Sequence, residues 1–149
     1  MFEIIREKIK TTRKIIKNLG YDSEYVSVRE FYDWMTREFL SEDNYESNKI
    51  TLLDVLKNEY LMIHELIEIN EFKKMGRKID RHIIIDSQKE EIYKAHFFAQ
   101  EFEMDYAFKK KDYSWIKIRL KHHKSVLDTD PNLPKEMRSV AQNIYEKFS

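Results

Sequence analysis

The stretch QKEEIYKAHFFAQEFEMDYAFKK, residues 88–110, has the apolar repeat of an amphipathic helix. At about 100° per residue, the face expected to be buried carries Ile92, Ala95, Ala99, Phe102, Tyr106 and Ala107. His96 and Glu103 fall in the middle of this apolar face. Because a buried polar group needs a hydrogen-bond partner, the sequence predicts a polar cluster inside the fold.

Glycine and proline are scarce in this chain. Its 149 residues contain two of each, whereas an average chain is roughly 12% Gly plus Pro. Turns between strands depend on these residues, so their scarcity favours long helices joined by few loops. We therefore predict an all-α fold, a single-domain bundle of about five or six helices that spans residues 1–149.

Start and stop signals give the bounds of the predicted helices. The helices cover 2–18, 27–40, 51–75, 88–110, 114–127 and a last segment that begins near Pro134, with a polar loop at 41–48. Gly20 ends the first helix, and Ser27-Val28-Arg29-Glu30 is a capping box for the second. A strand-like run at 83–85 precedes a second capping box, from Ser87 to Glu90.

Two further predicted helices carry polar residues among apolar ones. His64 and Glu68 lie one turn apart on the third helix. If the third and fourth helices form an antiparallel hairpin, Glu68 comes level with His96. Arg119 and His123 repeat the anomaly on the fifth helix. We expect these side chains to meet in the interior.

One interpretation of this cluster is structural. Glu103 could pair with Arg119, and His96 with Glu68, as buried ion pairs that fix the register of the helices. The chain would then be a binding or assembly module. We expect its partner in that case to be another copy of itself, a homo-oligomer formed through the aromatic-rich faces.

The alternative interpretation is a metal site. His64 and Glu68 are about 6 Å apart along the helix axis, so both could bind one divalent transition metal. His96 could supply the third ligand and leave a position for water. Glu103 lies two turns, about 10.5 Å, from His96, so it would bind a second metal, act as a catalytic general base or orient a ligand. The chain would then be a metal-dependent hydrolase of a phosphorylated or nucleotide substrate.

Basic residues raise two more binding hypotheses. Arg119 and His123 could form an anion-binding pocket for a phosphate or a carboxylate. Residues 109–124 carry seven basic residues and one acidic residue, with Tyr113 and Trp115 among them. Nucleic-acid binding through this segment is therefore a third alternative, although the net charge of zero makes it weaker.

Charge is uneven in the first third of the chain as well. Residues 1–17 carry six basic and two acidic residues, and residues 21–48 carry two basic and eight acidic residues. This asymmetry is typical of complementary faces within a fold or between subunits. The abundance of charged and aromatic residues without any cysteine is also typical of a heat-adapted source.

Known metal-enzyme patterns do not account for the cluster. His64-Glu65-x-x-Glu68 lacks the second histidine of HExxH, and the sequence contains no Glu-x-x-His. Glu65-x-x-Glu68 is similar to the first half of the MazG-like all-α nucleotide pyrophosphatase pattern. Glu101 and Asp105 follow at a spacing of four instead of three, so the sequence is not assigned to that family.

Hydropathy bears on where the chain is found. No apolar run approaches the ~18 residues of a membrane span. The first residues, MFEIIREKIK, lack the apolar core of a signal peptide. We therefore expect a cytoplasmic protein with no membrane partner.

Overall fold

The computed structural model describes residues 1–39 and 50–149, and their regular structure is helical throughout. The helices, in chain order, are α1 (Phe2–Asn18), α2 (Val28–Met35), α3 (Leu52–Leu56), α4 (Glu59–Lys74), α5 (Ile83–Asp86), α6 (Lys89–Lys109), α7 (Tyr113–Thr129) and α8 (Lys135–Phe148). The all-α prediction is confirmed for the described residues. The number of helices was underestimated, partly because α3 and α5 are single turns. The predicted loop at 41–48 lies outside the described residues.

Two of the predicted end signals are confirmed. Gly20 follows α1 with a φ of +88°, a left-handed conformation that glycine adopts without strain. The Ser27 hydroxyl accepts a hydrogen bond from the Glu30 N–H, and the Glu30 carboxylate accepts one from the Ser27 N–H. α2 is shorter than predicted, and the hydroxyl of Thr36 at its end donates to the Tyr32 carbonyl.

The predicted helix over 51–75 is interrupted. The side-chain oxygen of Asn58 accepts hydrogen bonds from the N–H groups of Tyr60 (2.9 Å) and Leu61 (3.0 Å). Since an asparagine in this position caps a helix N-terminus, α4 begins after Asn58 as a helix separate from α3.

The predictions for residues 83–90 were wrong in two respects. The run at 83–85 is part of helix α5, because the burial of Ile83 and Ile84 outweighs the strand propensity of isoleucine. The capping box of α6 lies one residue later than predicted. The Gln88 N–H donates to the Glu91 carboxylate at 2.9 Å, and the Ser87 hydroxyl bonds to the Ile83 carbonyl instead.

Helix α6 is buried on two sides, where the sequence predicted one. Ala95 and Ala99 pack into a core shared with α1, α2 and α4. Phe97, Met104 and Ala107 pack into a second core shared with α7 and α8. The small alanines let α4 approach α6 closely, and this contact contains the polar side chains considered next.

Candidate metal centre

A buried polar cluster lies where α4, α6 and α7 meet. It consists of His64 and Glu68 on α4, His96 and Glu103 on α6, and Trp115 and Arg119 on α7. Within each helix the two residues are four or seven positions apart, so they project from one face. His64 contacts Glu103 while Glu68 contacts His96. α4 and α6 therefore run antiparallel. Glu68 lies at the same height as His96 along this helix pair, as predicted.

The imidazole of His64 is held between two carboxylates. Its Nδ1 lies 2.8 Å from Oε1 of Glu103, and its Nε2 contacts Oε1 of Glu68. Burial opposes a positive charge on this ring. The charge of Glu68 and the hydrogen bonds to both carboxylates outweigh burial and raise the pKa of His64 to about 10. Without a metal, His64 is therefore an imidazolium that donates from both nitrogens.

Glu68 faces both histidines of the cluster. The oxygen that contacts His64 also lies 3.5 Å from Nδ1 of His96. Burial alone would raise the pKa of Glu68, but the charge of His64 and hydrogen bonds from both histidines hold it well below its usual range. Glu68 is thus a buried anion placed between two imidazoles.

His96 is the most exposed of the three predicted metal ligands. Its side chain is 32% exposed, compared with 6% for His64 and 8% for Glu68. Burial, together with the nearby charge of His64, lowers the pKa of His96. The ring is therefore neutral at pH 7, and a neutral imidazole has a lone pair that can bind a metal.

Glu103 is fully buried and surrounded by donors. Besides His64, it accepts from Nε1 of Trp115 at 2.7 Å and from Nη2 of Arg119 at 3.2 Å, and Nε of Arg119 lies 2.8 Å away. Burial would raise its pKa, but the charge of Arg119 and the hydrogen bond from His64 hold it below its usual value. A carboxylate with this many donors is a poor proton acceptor. Its contacts therefore favour orientation of His64, and the predicted general-base role stays a prediction.

The three predicted metal ligands converge. His64, Glu68 and His96 each offer one ligand atom, and these atoms lie within 4.8 Å of one another. Two ligand atoms on a tetrahedral zinc are roughly 3.3 Å apart, given bonds of about 2.0–2.1 Å. Small side-chain rotations would therefore bring this group around one ion. The described residues could hold a metal here.

Arg119 and His123, the predicted anion-binding pair, have different surroundings. Arg119 is paired with Glu103, whereas His123, one turn later on α7, is buried beside Phe97 of α6. Nδ1 of His123 lies 2.9 Å from the side-chain oxygen of Gln100, and Nε2 lies 2.6 Å from the carbonyl oxygen of Ala141. Both side chains already have protein partners, and anion binding by this pair stays a prediction.

The sequence did not single out Trp115 or Gln100 as members of polar networks. Trp115 lies in a basic stretch and was associated with nucleic-acid contacts, yet its indole N–H donates to Glu103. A signal was available, since a tryptophan N–H needs a partner when it is buried. Gln100 is 2% exposed, and the sequence gives no such signal for it, because it lies outside the apolar face that His96 and Glu103 share.

The basic stretch at 109–124 is partly engaged within the chain. Lys110 lies 3.7 Å from Glu59, and Lys124 lies 3.3 Å from Asp128. Tyr113 is 56% exposed, whereas the ring of Trp115 stacks on Tyr60 with centroids 5.0 Å apart. Nucleic-acid binding through this stretch is not tested by these contacts.

Comparison with other proteins adds no family assignment. No family model, curated protein or solved structure matches the chain. Among the helices within 1–39 and 50–149, none is both long and apolar enough to cross a membrane. The chemistry of the cluster is therefore the basis for a functional proposal.

Proposed function

We propose that this protein binds one divalent transition metal ion, zinc being the simplest case, through His64, Glu68 and His96. The observation that carries the proposal is the convergence of three ligand atoms of suitable type within 4.8 Å in a largely buried position. Two imidazoles and one carboxylate are a common donor set of catalytic zinc sites. The ligands would be Nε2 of His64, a carboxylate oxygen of Glu68 and Nδ1 of His96.

The surroundings of His64 support this assignment. A histidine that binds a metal through one nitrogen usually donates its other N–H to a carboxylate, which fixes the tautomer and the ring orientation. Glu103 accepts from Nδ1 of His64 and so leaves Nε2 for the ion. Trp115 and Arg119 in turn hold Glu103 in place. In this proposal Glu103 is a positioning residue.

The number of ligands and the exposure of His96 favour a catalytic type of site. Structural zinc sites have four protein ligands, whereas catalytic sites have three and keep a position for water. His96 is 32% exposed, so solvent reaches the cluster from its side. A metal-dependent hydrolase fits such a site, because a bound metal lowers the pKa of its water to about 7. The phosphorylated or nucleotide substrate stays a prediction.

A purely structural cluster in a binding or assembly module is the second candidate. Glu103 lies 2.8 Å from Arg119, the ion pair that was predicted, and Glu68 lies 3.5 Å from His96, whose ring is neutral. These contacts satisfy much of the cluster without a metal. Such a network would fix the register of α4, α6 and α7, and the predicted homo-oligomer would then form elsewhere on the surface.

Metal content distinguishes the two candidates. The untagged protein is purified without chelators, and its metals are quantified by mass spectrometry. We expect about one zinc or similar ion per chain, and loss of this ion in His64→Ala and in His96→Ala. His122→Ala is the matched control, because His122 is an exposed histidine on α7. Cobalt(II) added to the metal-free protein should give the visible absorption of a tetrahedral site, and the His96→Ala variant should not.

Two results would refute the metal proposal. One is a metal content near zero together with no cobalt spectrum in a folded wild-type protein. The other is an ion that stays bound in both His64→Ala and His96→Ala. If these variants are destabilised by about 1–3 kcal/mol while no metal is involved at any stage, the structural candidate is correct.

A further inference from the structure

A cavity of about 450 Å³ lies along α1, on elements separate from the candidate metal centre. Its floor is apolar, formed by Ile9, Val26 and Val28. Five cationic side chains of α1 line it: Arg6, Lys10, Arg13, Lys14 and Lys17. Ser23 and Tyr25 form its other wall, and we call the whole cavity the α1 groove.

The cations of the α1 groove form one row. With 3.6 residues per turn they fall within an arc of about 100°, beside the buried stripe that contains Ile5, Ile9 and Ile16. From Arg6 to Lys17 the row extends about 16 Å along the helix axis. The apolar stripe holds α1 against the core, so the row of charges lies along one side of a fixed helix.

This row has almost no compensating charge within the described part of the chain. Arg6 pairs with Glu3 at 2.6 Å, and no described carboxylate pairs with Lys10, Arg13, Lys14 or Lys17. Like charges four residues apart, such as Lys10 and Lys14, destabilise a helix. Among the described residues this row is offset only at Arg6, so it is suited to a chain of negative charges from outside.

The opposite wall of the groove is held in place by α4. The Glu24 N–H donates to the side-chain oxygen of Asn70 at 2.6 Å, and the Lys73 ammonium donates to the Tyr25 carbonyl at 2.7 Å. The side chain of Tyr25 is left 68% exposed at the edge of the groove. An exposed aromatic ring on a fixed backbone, opposite a row of cations, offers a surface on which a base can stack.

We propose that the α1 groove binds single-stranded nucleic acid. The phosphates would lie along the cations of α1, and an unpaired base would stack on Tyr25 and the apolar floor. Paired bases in a duplex are not free to stack in this way. An acidic peptide carries no base that could stack on the aromatic ring. The proposal is independent of the metal site and differs from binding through residues 109–124.

Fluorescence anisotropy with a labelled 12-nucleotide oligo-dT tests this inference. We expect binding that weakens steeply with salt, since each phosphate contact contributes a slope of about −0.7 in log K against log[salt]. Lys10→Glu/Lys14→Glu should weaken binding about tenfold or more and flatten the salt slope. Tyr25→Ala should weaken it about fivefold with the slope unchanged. Lys8→Glu is the matched control, because Lys8 is exposed on α1 and does not line the groove.

Several results would overturn the proposal. One is oligo-dT binding that is undetectable at low salt or unaffected by Lys10→Glu/Lys14→Glu. Equal competition by polyglutamate, with no effect of Tyr25→Ala, would identify an acidic protein partner instead. Loss of binding only in Lys117→Glu/Lys121→Glu would transfer the site to the basic stretch of α7. Self-association that Lys10→Glu/Lys14→Glu abolishes, measured by light scattering, would identify a second copy as the occupant.

Discussion

Nδ1 of His64 lies 2.8 Å from Oε1 of Glu103, and this hydrogen bond joins α4 to α6 inside the core. It determines which nitrogen of His64 is free to face Glu68 and His96. It also explains why a carboxylate occurs on the apolar face of α6. Glu103 is buried because Trp115 and Arg119 of α7 supply further donors.

Replacement of Glu103 by glutamine should weaken metal binding. The amide cannot accept from His64, Trp115 and Arg119 together, so the orientation of the imidazole is lost. We expect affinity for zinc to fall about 10–100-fold, as for other groups that orient a metal-bound histidine. Competition with a fluorescent chelator measures this change. A general base would instead be required for turnover and not for binding, so unchanged affinity would contradict the positioning role.

Because Glu103→Gln also leaves Arg119 without its anion, we expect the variant to be destabilised by about 3 kcal/mol or more. Trp115→Phe provides a milder test, since it removes one neutral donor and keeps the ring. We expect a smaller loss of zinc affinity in Trp115→Phe than in Glu103→Gln. Circular dichroism establishes that both variants are folded before their affinities are compared.

The stability of the metal-free protein should decrease in alkali because of His64. Contacts with Glu68 and Glu103 raise the pKa of His64 from 6.5 to about 10. The imidazolium therefore stabilises the fold fully below about pH 6.5, and this contribution is lost as the pH rises towards 10. The two carboxylates have lowered pKa values, so their contribution is present above about pH 4.5 and is lost in acid.

Urea denaturation between pH 5 and pH 10, in the presence of a chelator, measures this dependence. The difference in unfolding free energy between wild type and His64→Gln should be largest near pH 5–6 and shrink towards pH 10. The difference removes the contributions of lysines and tyrosines, which both proteins share. A difference that is constant over this range would show that His64 is not charged in the fold.

Local signals in the sequence were sufficient for much of the fold. Gly20 and the Ser27–Glu30 box mark helix ends through their own backbone chemistry, so neighbouring sequence suffices to identify them. The interruption at Asn58 was missed because the apolar repeat continues across it. The turn at 83–85 was missed for a different reason, since tertiary burial of two isoleucines decides it and propensity does not.

The candidate site could be predicted in its members but not in its arrangement. His96 and Glu103 were identified because they lie on the apolar face of their helix, and His64 and Glu68 because they lie one turn apart on the less apolar flank of theirs. Helical geometry also predicted that Glu68 lies opposite His96 in the antiparallel pair of helices. The hydrogen bond from Trp115 to Glu103 depends on the angle at which α7 crosses α6. The apolar repeat along one helix contains no information about that crossing angle.

His123 should stabilise the fold without any effect on metal content. It is 2% exposed and fills a polar gap between Gln100 on α6 and the Ala141 carbonyl on α8. His123→Ala leaves the buried side-chain oxygen of Gln100 without its partner and removes a packed ring, so we expect a loss of about 1–3 kcal/mol of unfolding free energy. Urea denaturation gives the loss, and mass spectrometry gives the metal content. A lower metal content in a folded His123→Ala protein would place His123 in the metal site.

Glu65 and Glu68 form a matched pair of buried carboxyl groups on α4, and they should respond oppositely to replacement by glutamine. Burial and the charge of Glu68 raise the pKa of Glu65, whereas contacts with His64 and His96 lower that of Glu68. Glutamine resembles a protonated carboxyl group. We therefore expect Glu65→Gln to change the unfolding free energy by less than about 1 kcal/mol and to retain the metal.

Glu68→Gln should behave differently, because it removes the anion that holds the proton of His64 and supplies the metal-binding oxygen. We expect it to lose the metal and to be destabilised by about 3 kcal/mol, the range for breaking a buried ion pair. Urea denaturation and metal analysis of the two variants side by side measure both effects. Since the residues are three positions apart on one helix, general damage to α4 would affect both alike. Equal metal loss in the two variants would contradict the assignment of Glu68 as a ligand.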